Sequence, residues 1–351
     1  MHILITDPAG FLGRNLLAHL EQALPDSGHV LHPLEVTAPS DTIAQNVAAA
    51  DFVFHLTDAS PDFTAALLAG LTGAKKPPVL FAASDERSKE ALHSYSQRTG
   101  APVYLYHLSH PFGKWSLPHL NPVADLCNRL SRGLPPGGFD PETELHLTYI
   151  DDIIAAWLRV LDGKPEGTPP HCTVEPCYSI KMGELAVRLA SYGQMRDRLD
   201  VPDQSDPLTG KLYATYLSFL PPHDFARTPV VHADNRGSFT ELMHFGGYGQ
   251  ISLNVSRPGI VKGEHWHHTK HEKFIVIQGE GIIRLRKPGD PTVITYRVSG
   301  ETRTVVDIPP GYAHNIENIG DADLLTLMWI NERFDPAAPP DTCPMPVSPK
   351  G

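Results

Sequence analysis

Four residues in the C-terminal third have the types and spacing of a metal site. His265 and His267 stand two apart, Glu272 follows five residues later, and Gly259 and Gly279 bracket the stretch. About forty residues downstream, Pro309-Pro-Gly311-Tyr-Ala-His314 supplies a third histidine behind a turn. Residues i and i+2 of a strand point to the same face, so His265 and His267 aim their rings together. Glu272, after a short turn, can swing in beside them, and His314 arrives on a later strand. Three neutral imidazoles and one carboxylate suit zinc or another divalent transition metal, with positions left for water or substrate. Five of the chain's 19 histidines lie between His265 and His314, which sets this stretch apart from the rest. His268, Lys270 and His271 are read as solvent-exposed neighbours.

Such a site needs a rigid frame, and short strands supply it. Val230–His232, Gln250–Val255, Lys273–Ile277, Gly281–Arg286, Val293–Arg297, Arg303–Ile308 and Leu324–Trp329 are strand-like runs separated by Gly and Pro turns. Many short strands without helices predict an all-β sandwich or barrel over residues 226–351. The spacing Gly-x5-His-x-His-x4-Glu-x6-Gly, with Pro-x-Gly-x2-His-x3-Asn from Pro309 to Asn318, resembles the two cupin motifs, which implies a cupin barrel. The glycine expected before Pro309 is missing. Just upstream, Asp234-Asn-Arg236-Gly-Ser-Phe239-Thr-Glu241 resembles a segment of nucleotide-sugar 3,5-epimerases, where the arginine meets nucleotide phosphates. Arg236 and Lys262 are thereby candidates to hold a diphosphate by charge-assisted hydrogen bonds.

Residues 1–225 read differently. His2-Ile-Leu-Ile-Thr6 is a strand, Asp7-Pro-Ala-Gly10-Phe-Leu-Gly13 a turn, and Arg14 to Leu20 takes helical spacing. Strand, glycine turn and helix make the start of a dinucleotide-binding unit, with Gly10 and Gly13 allowing close approach of a pyrophosphate to a helix N-terminus. Further strands at Asp51–Leu56, Pro78–Ala83 and Val103–His107, and helices at Glu86–Arg98, from Thr148 onward, and at Lys181–Leu199 behind a Ser179 cap, predict an α/β Rossmann-like domain of the extended short-chain dehydrogenase type. Two features depart from that type. Asp7 occupies the first glycine position, where a carboxylate repels a pyrophosphate. The Tyr-x-x-x-Lys pair needed for proton transfer to a reduced carbonyl is missing: Lys89 has Asp85 four residues before it, Ser84 is the available serine, and Tyr95 lies on the wrong side. Glu35 is the one available ribose partner, and a solvated strand-end glutamate is the preferred reading of it. The expectation is a catalytically degenerate scaffold; the alternative is a domain that reduces its substrate by another proton donor.

Composition excludes several classes. A net charge of −11 without a basic run argues against nucleic acid. No apolar stretch is long enough for a membrane span. The N-terminus lacks the charged start of a signal peptide, so a cytoplasmic protein is expected. Four cysteines, Cys127, Cys172, Cys177 and Cys343, are too few for a disulfide framework.

In order along the chain, Phe112-Gly-Lys-Trp115, Tyr149-Ile-Asp-Asp152, Tyr213 to Pro221, Arg236 to Glu241, His265-Trp-His-His-Thr-Lys270, Glu272-Lys-Phe274 and His314-Asn-Ile-Glu-Asn318 resemble the bifunctional capsular polysaccharide reductase/epimerase family of the UDP-N-acetyl-L-fucosamine pathway. The resemblance implies a short-chain dehydrogenase-like domain joined to a zinc cupin, a homodimer, and a nucleotide-sugar substrate. It implies epimerisation at C3 of a UDP-4-keto-6-deoxy-N-acetylhexosamine by the cupin, then reduction at C4 by NADPH in the first domain. His265, His267, Glu272 and His314 match the family's metal ligands. Asp7, Asp85 and His107 depart from it, as does a shortened segment between Leu56 and Lys89, and all of these fall at cofactor or catalytic positions. The general base stays open between Lys262 and His265, because His265 serves as base only when it is not a ligand. Other readings are a different metal-cupin reaction on a nucleotide sugar (isomerisation, dehydration or oxygenation) and a non-catalytic nucleotide-sugar binding protein.

Overall fold

A computed structural model of the chain describes residues 1–23, 28–56, 61–73, 79–83, 86–246, 248–333 and 341–348. Ser84 and Asp85, weighed above as catalytic positions, lie outside the described residues. The chain divides into two compact units, Met1–Ala190 with Lys211–Pro221, and Ser191–Gly210 with Pro222–Gly351.

The first unit is built on a seven-stranded sheet in the order Val30–Leu34, His2–Thr6, Phe52–His55, Val79–Ala83, Val103–Tyr106, His171–Cys172, Gly167–Thr168. Its strands run parallel except for the last pair. Strand alternation explains the two cores. Ile3, Ile5, Phe52 and Phe54 face one side and pack on Leu16 and Leu20 of helix Phe11–Ala23 and on Trp157 of helix Ile150–Leu161. Leu4 and Val53 face the other, against Ile43, Val47, Phe63, Leu67 and Leu92 from three further helices. A parallel sheet covered on both faces is the Rossmann-type arrangement that the alternating pattern predicts.

Two local expectations are corrected. Thr148 and Tyr149 end a strand, Glu144–Tyr149, and the helix begins only at Ile150. The β-branched and aromatic side chains there sit in register with Cys177 on one side and Phe112 on the other. Ser179 caps no helix; it lies inside strand Cys177–Lys181 with its hydroxyl 2.9 Å from His146 Nδ1. The helix that follows is Met182–Asp197, and a further helix spans Pro207–Ser218.

The second unit is β-rich. One sheet runs Asp200–Val201, Gly237–Phe245, Gln250–Ser256, Leu324–Ile330, Glu272–Gln278, Val305–Ile308, with Val231–Asp234 added on Gly237–Phe245. The other runs Val293–Ser299, Glu280–Arg286, Ala313–Asn318, Val261–His267, Thr342–Pro344. Phe274, Val276, Val306, Ile308 and Leu324 of the first meet Ile283, Leu285, Val298 and Ile316 of the second in one core. Two sheets, antiparallel apart from the parallel edge pair of Asp200–Val201 with His244 and Phe245, close on a shared core and form the expected cupin barrel. No helix among the described residues is long and apolar enough to cross a membrane. The four cysteines are free.

Glu280–Arg286 alternates buried and half-buried residues, with Ile283 fully buried and Ile282 on the opposite face. Ile283→Ala is therefore expected to cost ~2–5 kcal/mol in chemical denaturation, and Ile282→Ala less than half as much.

Candidate metal centre

Strand Val261–His267 carries two of the histidines and Ala313–Asn318 the third. The two strands pair antiparallel, and a bulge between Gly263 and His265 brings His265 into register with His314. Glu264 is the bulged residue, at φ +64°. Gly263, at φ +106°, permits the close approach: a Cβ there would lie 2.7 Å from the His314 carbonyl oxygen. Glu272 opens the neighbouring strand in the other sheet, opposite Ile308 and Ile330.

The side chains converge. Ligand atoms of His265, His267 and His314 lie within 4.8 Å of one another. Ring centroids are 4.8 Å apart for His265 and His267, 4.7 Å for His265 and His314, and 5.7 Å for His267 and His314. Glu272 Oε2 comes within 3.1 Å of His314 Nε2. His267, Glu272 and His314 are buried, and His265 is half-buried. Burial, reinforced by His314 and His267, pushes the His265 imidazole below its ordinary pKa, and burial does the same to His267. Both are thereby favoured in the neutral form that binds metals. Two rings are oriented from behind: His267 Nδ1 is 3.2 Å from the Asp341 carbonyl and His314 Nδ1 is 3.4 Å from the Tyr312 carbonyl.

A cavity of about 100 Å³ opens at the cluster, lined in part by Phe239, Asn254, Lys262, Phe274 and Met328. A wider one, about 550 Å³, shares Phe239, Asn254 and Lys262 with it and reaches Arg236 and the strand Val231–Asp234. Lys262 Nζ donates to Asn254 Oδ1 and to the Val255 carbonyl, both at 2.8 Å. Burial lowers its pKa, partly opposed by Asp234. Arg236 is exposed and engages Asp234 through Nε and Nη2 at 3.0 and 2.7 Å. His268 and His271 are exposed as expected, whereas Lys270 is half-buried. Asn254, Met328 and Asp341 carry no pattern in the sequence; they join the site only through strand pairing.

In the first unit, Gly10 ends the turn before helix Phe11–Ala23, and Gly13 lies in the first turn of that helix rather than in the loop. A Cβ on Gly10 would lie 2.0 Å from Asp7 Oδ2, and one on Gly13 2.0 Å from the Asp7 carbonyl oxygen. Asp7 itself holds φ +53°, a conformation suited to the glycine it replaces. Tyr95 is fully buried in the core, which removes it as a proton donor to a bound substrate. Glu35 and His107 are exposed.

A Rossmann-type unit and a cupin barrel with a three-histidine cluster define the class: a two-part chain that joins these two folds. A family model described as "Polysaccharide biosynthesis C-terminal domain" matches residues 232–343. The UDP-2-acetamido-2,6-beta-L-arabino-hexul-4-ose reductase of Pseudomonas aeruginosa is 32% identical over 361 aligned positions, 95% of this chain and 96% of that protein. The crystal structure of the capsular polysaccharide assembling protein CapF from Staphylococcus aureus is 36% identical with a TM-score of 0.92, covering 99% of this chain and 100% of that one. A CapF structure with the inhibitor 3-isopropenyl-tropolone is 38% identical with a TM-score of 0.91, at the same coverage. The chain belongs to the bifunctional capsular polysaccharide epimerase/reductase family.

The close contact at Gly263 makes a direct prediction. Gly263→Ala is expected to cost at least ~1–2 kcal/mol from the left-handed backbone alone. It should lower the melting temperature and shift the imidazole NMR signals of both His265 and His314.

Proposed function

We propose that this chain is a nucleotide-sugar-modifying enzyme whose cupin epimerises the carbon beside the keto group of a UDP-4-keto-6-deoxy (amino)sugar. In this reading His265, His267, Glu272 and His314 hold a divalent transition metal, with zinc the first choice. The observation that carries the reading is the convergence of these side chains, of which His265, Glu272 and His314 line a cavity that Lys262 also lines. The donor set fits a cation: Glu272 Oε2 is buried, makes no hydrogen bond among the described residues, and yet lies 3.1 Å from a ring nitrogen. Two such atoms facing each other without a hydrogen bond are what ligands of one shared ion do. The Pseudomonas relative is named for a UDP-linked hexul-4-ose, a sugar with its ketone at C4. The CapF inhibitor is a tropolone, whose adjacent carbonyl and hydroxyl oxygens form a chelating pair.

A bound metal would supply a Lewis acid for the ketone oxygen. The chain's own residues do the rest. Lys262, held by Asn254 and Val255 and depressed by burial, takes the proton from the carbon beside the ketone. Return of a proton on the opposite face inverts that centre. His265 belongs to the ligand set in this reading, which leaves Lys262 as the base. Arg236, at the wider cavity, meets the diphosphate in exchange for Asp234. The working form in this reading is a homodimer, the arrangement the cupin resemblance implies.

The first unit does not fit NAD(P) as it stands. The Asp7 carboxylate lies against Gly10, at the turn a pyrophosphate would approach, so no hydride step is assigned to this chain. Burial raises the Asp7 pKa, partly opposed by the Gly10 N–H, and the side chain fills the space in either protonation state. Asp7→Gly is expected to tighten NADPH binding by at least tenfold in a fluorescence titration; equal, tight binding by both forms would refute the obstruction.

The test of the reaction is incubation with a UDP-4-keto-6-deoxy-N-acetylhexosamine in deuterated water, followed by NMR. Deuterium should enter beside the ketone without NADPH, and Lys262→Met should slow entry by ~10²-fold or more. A lysine base works in its neutral form. Its lowered pKa therefore places the rise of the exchange rate with pH below 10.5, lysine's ordinary value. Wild-type protein that binds the sugar nucleotide but incorporates no deuterium would overturn the proposal.

A further inference from the structure

The last described segment, 341–348, runs along the strand that bears His265 and His267. Thr342–Pro344 pairs antiparallel with it, His267 opposite Thr342, Trp266 opposite Cys343 and His265 opposite Pro344. The segment is fastened on both sides of this pairing. At one end the Asp341 carboxylate accepts the backbone N–H of His268 at 2.9 Å, of Thr269 at 3.3 Å and of Lys270 at 3.1 Å, and the Thr269 hydroxyl at 3.4 Å. At the other, the Glu264 carbonyl accepts the Met345 N–H at 2.8 Å. The Glu264 carboxylate accepts the Val347 N–H at 2.6 Å and the Asn315 amide at 2.5 Å, and Val347 is fully buried.

Those contacts leave the Asp341 main-chain carbonyl 3.2 Å from His267 Nδ1. An imidazole has two ring nitrogens, and the partner of one decides which role the other plays. With Nδ1 donating to a carbonyl, which carries no proton of its own, Nε2 is left unprotonated and free to face His265 and His314. The side chain and the carbonyl of Asp341 thus act together. The carboxylate grips the turn that leaves His267, and the grip sets where the carbonyl stands. The Asp341 carboxylate also lies 3.8 Å from Nδ1, which adds a weak attraction of the same sense.

We propose that Asp341 is a positioning residue of the histidine cluster, fixing the His267 tautomer and ring direction through its carbonyl while its carboxylate clamps the 268–270 turn. The proposal rests on the metal-site reading above and deepens it. A carboxylate suits the clamp because it offers several acceptor positions and no donor. An asparagine would turn one N–H₂ toward three backbone N–H groups.

The test uses the full chain as wild type, Asp341→Asn and Asp341→Ala, each checked for cooperative thermal unfolding. Two readouts separate positioning from general damage. Zinc affinity, measured by competition with a chromophoric chelator, should fall ~10–100-fold in Asp341→Ala, with Asp341→Asn between it and wild type. Long-range ¹H–¹⁵N NMR of the metal-free protein should show His267 protonated at Nδ1 in wild type and a mixture of tautomers in Asp341→Ala. Wild type that binds no zinc but shows this tautomer change would remove the metal reading and keep the positioning role. Folded Asp341→Ala and Asp341→Asn with wild-type zinc affinity and an unchanged His267 tautomer would overturn the proposal.

Discussion

The site depends on the register between Val261–His267 and Ala313–Asn318. Side chains alternate across a strand, so a slip of one residue would send His265 and His267 to the opposite face and dissolve the cluster. The bulge at Glu264 is what sets this register, placing His265 opposite His314. Gly263 makes the bulge sterically open, and Glu264 stabilises it from outside through Asn315 and Val347. A bulge beside a functional site commonly re-aims side chains in this way. The metal site is therefore a product of backbone pairing more than of any one ligand.

That pairing also sets the electrostatics. Gathering three imidazoles and a carboxylate inside a barrel removes them from water, a cost that only mutual contact or a bound cation offsets. Burial keeps His265 and His267 toward the neutral state, and the nearby backbone carbonyls turn the His267 and His314 rings. The same desolvation acts on Lys262, whose ammonium is held by Asn254 and Val255. One feature of the barrel, its water-poor interior, prepares both ligands and base.

Much of this was legible in the sequence, for physical reasons. His-x-His spacing on a strand, glycines where turns need positive φ, and a Pro-x-Gly turn before His314 all act locally, and the strands they imply are present. Strands alternating with helices likewise implied the first unit's parallel sheet; the structure adds that Ile3 and Ile5 face one core and Leu4 the other. What stayed hidden is long-range. Asp341 lies 74 residues from His267 and meets it only because a C-terminal strand returns to the barrel. Asn254 and Met328 enter the cavity by strand pairing within one sheet. Ser179 has a helix-capping side chain, yet tertiary pairing with His146 outweighed that local preference. At Asp7 the sequence showed the wrong residue; the structure adds that it keeps a glycine's backbone conformation, so the turn survives while its ligand space is filled.

The most direct measurement of the central claim is anomalous X-ray scattering from crystals of the zinc-loaded protein. The account predicts one strong peak bounded by His265, His267, Glu272 and His314, about 2.0–2.2 Å from three ring nitrogens and a carboxylate oxygen. A map with no peak there, or with zinc held by other residues while this cluster stays empty, would contradict it.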